Sequence, residues 1–206
     1  MTSHPLSKQD AWPPLPLDGW EPTYQTVHRW TQVLGKVRMA LTPPVNHWWH
    51  VTLYVGERGL TTGPIPNRGH GFSLELALAD HRLQARCVDG RESGFGLEPM
   101  TVAEFFARTM RALKEIGVSA DIDPTPQEVA DTTPLDRDTE RRSYDSDAVI
   151  RLLGVLRAVD EVFQETRWEF LGKQSPSHFF WGAFDLAVTR FSGRANPEPP
   201  PDPVMG

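Results

Sequence analysis

The chain has 206 residues and a net charge of −6, and it lacks a cluster of Lys and Arg long enough to neutralise a row of phosphates, so we expect no nucleic-acid partner. The single cysteine, Cys87, excludes an intramolecular disulfide and favours a reducing compartment. Neither a run of about 18 apolar residues nor a signal-peptide pattern is present, so we expect no membrane partner and a cytoplasmic location.

Residues 1–22 are predicted to form an extended arm, because prolines fix the backbone near polyproline geometry and remove hydrogen-bond donors. Trp12 and Trp20 would pin this arm to the rest of the protein. The next unit, residues 23–122, is expected to contain a helix, a β-meander and a second helix. Its first helix is predicted from about Tyr24 to Gly35, since glycine often follows the last helical turn.

Residue alternation predicts the strands of the meander. The aromatic and β-branched segment from His47 to Val55 is predicted to be the first strand. Apolar residues alternate with other residues from Phe72 to Leu78 and again from Leu83 to Cys87, which is typical of half-buried strands. Short strands are expected around Leu60 to Thr62 and Phe95 to Leu97. The sheet should therefore be antiparallel.

The helix after the meander has a clear start signal. Thr101 and Glu104 form a capping-box pattern, in which the threonine side chain caps the first turn. Phe106, Met110 and Leu113 repeat with helical spacing and predict the buried face of this helix.

The rest of the chain is predicted to complete the same domain. Residues 123–145 are polar and proline-containing, so we expect a surface linker. Residues 146–193 should form a long helix, from about Ser146 to Leu171, and a final strand from Phe179 to Phe191. Residues 194–206 are proline-rich and are expected to be a disordered tail. These elements predict an α+β fold in which helices pack on an antiparallel β-meander.

One order of features occurs twice in the chain: helix, Leu-Gly-Lys, proline, histidine, aromatic residues and strand. Residues 34–36 and His47 belong to the first copy, and residues 171–173 and His178 belong to the second. Chance is one explanation, and a duplicated helix–meander–helix unit with an incomplete second copy is the other. Duplication would bring His47 and His178 together near an approximate two-fold axis.

Two motifs connect the chain with a known family. Asn46-His-Trp-Trp-His50 and His178-Phe-Phe-Trp-Gly-Ala-Phe-Asp-Leu-Ala-Val-Thr-Arg-Phe-Ser-Gly193 resemble signatures of a bacterial family known only as a domain of unknown function. The resemblance covers nearly the whole chain. Because members of that family continue further, the chain looks like a member that is shortened at its C-terminus. The resemblance implies a fold and a bacterial origin, but no activity.

Three histidines, His47, His50 and His178, are the candidates for catalysis. The spacing of His47 and His50 also suggests a metal site with His178 as a third ligand. However, residues three apart on a strand point to opposite faces, which argues against the simplest metal site. Structural histidines that bond to loop carbonyls are the alternative.

Further candidates for ligand binding are polar or aromatic residues close to these histidines, since polar groups in apolar segments either pair internally or line a pocket. They are Asn46, Trp48, Trp49, Trp181, Asp185 and Arg190. Core packing is the alternative for the tryptophans, and ion pairing with separate partners is the alternative for the last two. Lys36 and Lys173 follow predicted helix ends, where positive charge is favourable.

Two functional hypotheses remain open, because the sequence contains no familiar nucleotide-binding or hydrolase motif. The first is a small-molecule-binding or catalytic protein with a pocket lined by aromatic residues and histidines. The second is a non-enzymatic interaction or scaffold protein that docks through Trp12, Trp20 and the tail. The sequence does not identify a ligand, a cofactor, a reaction or an oligomeric state.

Overall fold

The computed structural model describes residues 12–67, 69 and 71–195. Within these residues, three α-helices pack with a five-stranded antiparallel sheet and a separate two-stranded sheet, which confirms the predicted α+β class. The helices are α1 (Glu21–Leu41), α2 (Val102–Glu115) and α3 (Ser146–Trp168), and the strands are β1 (Tyr54–Val55), β2 (Leu60–Thr61), β3 (Phe72–Ala77), β4 (Arg82–Cys87), β5 (Glu92–Gly96), β6 (His178–Phe180) and β7 (Asp185–Ala187).

The larger sheet is a meander in which each strand pairs with the next one in the chain. Its central hairpin follows directly from alternation, since Leu74 and Leu76 are fully buried while Ser73 and Glu75 are half-buried. Leu74 lies opposite the buried Ala85 of β4. One face of the hairpin therefore belongs to the hydrophobic core, as the sequence pattern predicted.

The segment from His47 to Val55 is mostly a loop, so the predicted first strand is wrong over most of its length. Asn46–Trp48 forms a short 3-10 turn, and only Tyr54–Val55 pairs with β2. A local hydrogen bond stabilises the loop instead, since the backbone N–H of Val45 donates to Nδ1 of His50 at 3.1 Å. Such side-chain bonds to the backbone compete with strand pairing.

Helix α1 continues past Gly35 and ends at Leu41, so its predicted end is also wrong. Gly35 lies inside the helix because the indole of Trp181 packs against it, and a Cβ atom there would overlap with the indole nitrogen. The helix ends where Thr42 precedes a proline and adopts extended backbone, a conformation that proline imposes on its predecessor.

Helix α2 begins at its predicted cap, because Oγ1 of Thr101 accepts a hydrogen bond from the backbone N–H of Glu104 at 3.1 Å. Of the predicted face residues Leu113 is buried, but the buried face is displaced by one residue from the other two, to Phe105 and Thr109. Phe105 is fully buried and stacks on Trp30 with ring centroids 4.7 Å apart, whereas Phe106 is only half-buried. The contact with α1 therefore determines which side of α2 faces the core.

Residues 123–145 contain no helix or strand, but this segment is not confined to the surface. Leu135 and Asp138 are fully buried. The carboxylate of Asp138 accepts hydrogen bonds from the backbone and guanidinium of Arg141 and lies 3.7 Å from Nε of the buried Arg29 on α1. These contacts hold the segment against α1.

The predicted final strand from Phe179 to Phe191 is a short hairpin, with a turn between β6 and β7. The backbone groups of Phe179 and Leu53 exchange hydrogen bonds of 2.8 and 2.9 Å. This pair connects the hairpin to the segment just before β1. The hairpin turn is thereby placed next to α1.

The repeated Leu-Gly-Lys sequence does not correspond to a repeated structural unit. Residues 34–36 are buried inside α1, whereas residues 171–173 are exposed and follow α3, which ends at Trp168. In addition, the strands after the two junctions belong to different sheets.

The arm and tail are described only in part. Trp20 is buried, while Trp12 is half exposed, so one of the two expected anchors packs in the core. Residues 1–11 lie outside the described residues. The predicted disordered tail lies outside them from residue 196 onward.

Candidate functional site

The candidate site is organised by one face of α1. His28, Gln32, Gly35 and Met39 are separated by four, three and four positions, so they lie along the same side of the helix. All four residues lie against the loop segments that enclose a cavity. We call these four residues the positioning face of α1.

His28 holds the hairpin turn between β6 and β7. Its Nε2 lies 2.8 Å from the carbonyl oxygen of Gly182 and 3.1 Å from that of Trp181. Because both carbonyl oxygens are acceptors, we assign the proton to Nε2, which donates to them, while the amide nitrogen of Gln32 lies 3.3 Å from the same atom. Burial lowers the pKa of His28 below its usual value. A neutral imidazole therefore fixes the turn.

Gln32 holds the loop before Glu128 with both ends of its amide. The side-chain Nε2 donates to the carbonyl of Gln127 at 2.9 Å, and Oε1 accepts from the backbone N–H of Gln127 at 2.8 Å. This two-way bond fixes the peptide just before Glu128. Buried amides that are paired in this way are costly to disrupt.

Gly35 leaves room for Trp181, which forms one wall of the cavity. The indole N–H of Trp181 donates to the carbonyl of Val51 at 2.8 Å, and the residue is buried. The ring is therefore held both by its contact with α1 and by a hydrogen bond to the loop before β1.

These segments enclose a cavity of about 360 Å³, which we call the aromatic cleft. Its size lies at the small end of the range for ligand pockets, about 300–1,000 Å³. Five of its lining residues have apolar or aromatic side chains, and His47, Gln127 and Glu128 are polar. The lining is Met39, His47, Trp48, Val51, Gln127, Glu128, Phe180, Trp181 and Gly182.

The cleft is surrounded by unusual backbone conformations. Five non-glycine residues among those described have positive φ angles, and three of them, His47 (61°), Trp48 (57°) and Glu128 (55°), line the cleft. Phe184 (59°) lies in the adjacent hairpin turn. The Cβ atom makes the left-handed region unfavourable, at roughly 1–3 kcal/mol per residue, and such strain is concentrated at functional sites.

Glu128 is oriented toward the hairpin turn. A Cβ atom at Gly182 would lie 2.5 Å from Oε1 of Glu128, so only glycine allows this approach. Among the described residues, the carboxylate of Glu128 has no ion-pair or hydrogen-bond partner.

The structure brings three of the predicted site residues together: His47, Trp48 and Trp181 all line the aromatic cleft. Asn46 is exposed in the same turn as His47 but is not part of the lining. Trp49 lies next to the cleft residue His47, with ring centroids 5.4 Å apart, and also contacts His178 at 5.5 Å.

The other two histidines have separate environments. His50 is buried, accepts the hydrogen bond from Val45 and stacks on Trp48 with ring centroids 5.5 Å apart. His178 is buried among aromatic rings, and burial together with the positive charges of Arg38 and Arg167 lowers its pKa to about 4. Of the three histidines only His47 lines the cleft, and both His47 and His178 contact Trp49, so a site shared by His47 and His178 stays a prediction.

Asp185 and Arg190 are exposed, so neither is the internal charge that the sequence suggested. The guanidinium of Arg190 donates to the carbonyl of Thr166 and lies 5.1 Å from the ring centroid of Phe170. Both contacts join the chain after β7 to the end of α3. Neither residue lines the cleft, although Asp185 is the strand partner of the lining residue Phe180.

Lys36 is buried inside α1, and its ammonium has no hydrogen-bond partner among the residues that the structure describes. The expected role as a charge beyond the helix end is wrong, because the helix continues. Burial lowers the pKa of Lys36, while the nearby Asp123 opposes this shift. Its Nζ lies 5.8 Å from the ring centroid of Trp181, but Lys36 does not line the cleft. Lys173 is exposed beside Phe191.

The described residues contain no group of three or more His, Cys, Asp or Glu side chains arranged to hold a metal ion. His47, His50 and His178 therefore do not form the metal site that their spacing suggested.

Sequence reasoning missed the positioning face of α1 and Glu128. The sequence did contain a signal for the positioning face. His28 and Gln32 are polar residues four positions apart that flank apolar positions of the helix, and Gly35 follows on the same side. Glu128 carried no such signal, because its importance depends on backbone geometry and on a partner turn distant in the chain.

Comparisons with known proteins give a family but no activity. None of the helices within the described residues has the length and apolarity required to cross a membrane. No curated protein and no solved structure is significantly similar to this chain. A model of a family of unknown function, DUF5996, matches residues 12–206. The chain therefore belongs to this family, in agreement with the resemblance noted from its motifs.

Proposed function

We propose that this chain is a small-molecule-binding protein whose ligand occupies the aromatic cleft. The observation that carries the proposal is the convergence of His47, Trp48 and Glu128, all with left-handed backbone, on one cavity. Strain of this kind persists only where the surrounding structure holds it. A shared cavity explains why three strained residues from two distant segments lie together.

The walls of the cleft are also held in place before any ligand arrives. His28 fixes the turn at Gly182, and Gln32 fixes the loop at Gln127, both through hydrogen bonds shorter than 3 Å. Preformed walls reduce the entropy that a ligand must offset on binding. His47 and Glu128 are the lining side chains that can exchange protons, so they are the candidates for any catalytic role.

The interaction or scaffold hypothesis receives less support. Its proposed docking residue Trp20 is buried in the core, so this side chain is not available to a partner. Trp12 is half exposed but does not belong to a described cavity. A preformed cleft with polar groups supports small-molecule binding more directly.

We also propose a cytoplasmic location, which the single buried Cys87 supports because reducing compartments keep such thiols free. The bacterial origin implied by the motif resemblance stays a prediction.

Native mass spectrometry of the gently purified protein tests the proposed function. Met39→Trp should fill the cleft and remove any co-purified small molecule, since Met39 is part of its lining. Met110→Trp is the matched control, because Met110 is also a half-buried helical methionine but lies on α2. A bound mass that survives Met39→Trp would contradict binding in the cleft.

A fragment screen monitored by tryptophan fluorescence covers the case in which the ligand is lost during purification. Fragments that alter the fluorescence of the wild type and the Met110→Trp control, but not that of Met39→Trp, would support the proposal. If no fragment distinguishes these proteins, the proposed function is wrong.

A further inference from the structure

We propose that the aromatic cleft binds a small organic cation, such as an alkylated ammonium group, through Glu128 and the aromatic side chains. This inference rests on the proposed function and specifies the class of ligand. It follows from the charges that line the cleft, from the orientation of Glu128 and from the chemistry of the aromatic walls.

The first step concerns charge. Glu128 is the only carboxylate among the described residues that line the cleft, and no lysine or arginine belongs to this lining. The whole chain also carries a net charge of −6. A cationic ligand is therefore attracted, and an anionic ligand is opposed.

The second step concerns the unpaired state of this carboxylate. Several acidic residues of the protein have arginine partners; for example, Asp138 pairs with Arg141 at 2.9 Å and Asp89 pairs with Arg91 at 2.7 Å. Glu128 has none among the described residues, although its backbone is strained and its oxygen is directed toward Gly182. Because Glu128 is exposed, its carboxylate is accessible and can act as the counter-ion of a ligand cation.

The third step concerns the aromatic side chains. Trp48, Phe180 and Trp181 line the same cavity as Glu128. Aromatic faces attract cations through the ring quadrupole, most strongly in tryptophan, and this pattern recognises alkylated ammonium ligands. Met39 and Val51 supply apolar surface for the alkyl part of such a ligand.

Lys36 determines which aromatic side chain the cation approaches. Its Nζ lies 5.8 Å from the ring centroid of Trp181, so this ring already has a positive group beside it. Within the described part of the chain, Trp48 has no lysine or arginine over its ring, and it is 37% exposed. We therefore place the cation against Trp48 and Phe180, with Glu128 as its counter-ion.

Choline and its neutral isostere 3,3-dimethylbutan-1-ol are the probes for this inference, because they differ in charge but not in shape. We expect choline to bind about tenfold more tightly, equivalent to about 1.4 kcal/mol, as measured by calorimetry of the full chain at low salt. Glu128→Gln should remove this preference. Glu165→Gln, which removes an exposed carboxylate from α3, should keep it.

The outcomes separate this inference from the proposed function. Equal affinity for the two probes, or a choline preference that survives Glu128→Gln, would overturn the cation inference. If only the neutral alcohol binds and Met39→Trp blocks it, the cleft is a binding site without cation selectivity. The inference is also overturned if choline does not bind at about 10 mM, a concentration at which even a site with a Kd of about 1 mM would be mostly occupied.

Discussion

The central hairpin of the meander and the aromatic cleft are built by different kinds of contact. In the hairpin, β3 and β4 are neighbours in the chain, and their alternating residues form a buried face. In the cleft, the key bonds join residues that are 95 to 154 positions apart, such as Gln32 with Gln127 and His28 with Gly182. Local pattern therefore suffices for the central hairpin, whereas the cleft depends on α1.

The two regions also differ in what stabilises them. Burial of apolar side chains stabilises the sheet and its helices, at roughly 25 cal/mol per Å² of apolar area. The cleft instead combines paired buried polar groups with strained backbone. Substitutions in the core should therefore change stability most, and substitutions at the cleft should change binding more than stability.

The largest expected effect is a loss of stability in Phe105→Ala. This ring is fully buried and stacks on Trp30, so its removal should lower the free energy of unfolding by about 3–5 kcal/mol. Phe106→Ala is the control, with an expected loss of roughly 1 kcal/mol because that residue is only half-buried. Urea denaturation measures both values. Equal losses would mean that the buried face of α2 is wrongly placed.

Gly35→Ala tests the contact that joins α1 to the cleft. An added methyl group would overlap with Trp181, so the variant should lose about 1–3 kcal/mol despite the higher helix propensity of alanine. Gly154→Ala on α3 is the matched control, since its Cβ would be 3.2 Å from a proline Cγ at the surface arm. Thermal unfolding should show a clear loss for the first variant only. A neutral Gly35→Ala would show that Trp181 is not fixed against α1.

His178 should make stability depend on pH. Its pKa of about 4 lies below the usual value of 6.5, so the unfolded chain binds the proton more readily. Stability is therefore complete above pH 6.5 and decreases as the pH falls toward 4, by up to about 1.4 kcal/mol per pH unit.

His178→Phe removes this titration while keeping an aromatic ring. The variant should show a shallower loss of stability between pH 6.5 and 4 in urea denaturation. The comparison with the wild type isolates His178, because the lowered pKa of His28 acts in the same direction in both proteins. Parallel pH profiles would contradict the buried, neutral state of His178.

Lys36→Met should increase stability modestly, by about 1 kcal/mol, because it replaces an ammonium without a hydrogen-bond partner by an apolar side chain of similar length. Since burial lowers the pKa of Lys36, wild-type stability should rise as the pH approaches 10.5, and the variant should lack this rise. A destabilised variant would mean that the ammonium has a partner in solution.

The residues that were predicted correctly from the sequence share one property. The strands around Leu74 and Leu83 and the cap at Thr101 depend on neighbours within a few positions, so periodicity and capping rules apply directly. His47, Trp48 and Trp181, which the sequence offered as site candidates, all line the cleft, although the strand assigned to the first two was wrong.

The remaining features could not be derived because their causes are distant in the chain. Gly35 resembles a helix terminator until Trp181, far along the sequence, is known to pack on it. Nothing in the sequence distinguishes Glu128 from the other exposed acidic residues, because its backbone conformation and the clamp of Gln32 on Gln127 depend on tertiary structure. Such tertiary contacts override local propensity.

The central claim is that α1 positions Glu128 for ligand binding, and a double-mutant cycle on choline affinity tests it most directly. Calorimetry would compare Glu128→Gln in the wild type and in a Gln32→Leu background, which lacks the clamp on Gln127. If Gln32 positions the carboxylate, Glu128→Gln should weaken choline binding about tenfold in the wild type but only about twofold or less in the Gln32→Leu background, because the effects of coupled residues are not additive. An undiminished tenfold effect in the Gln32→Leu background would contradict the claim.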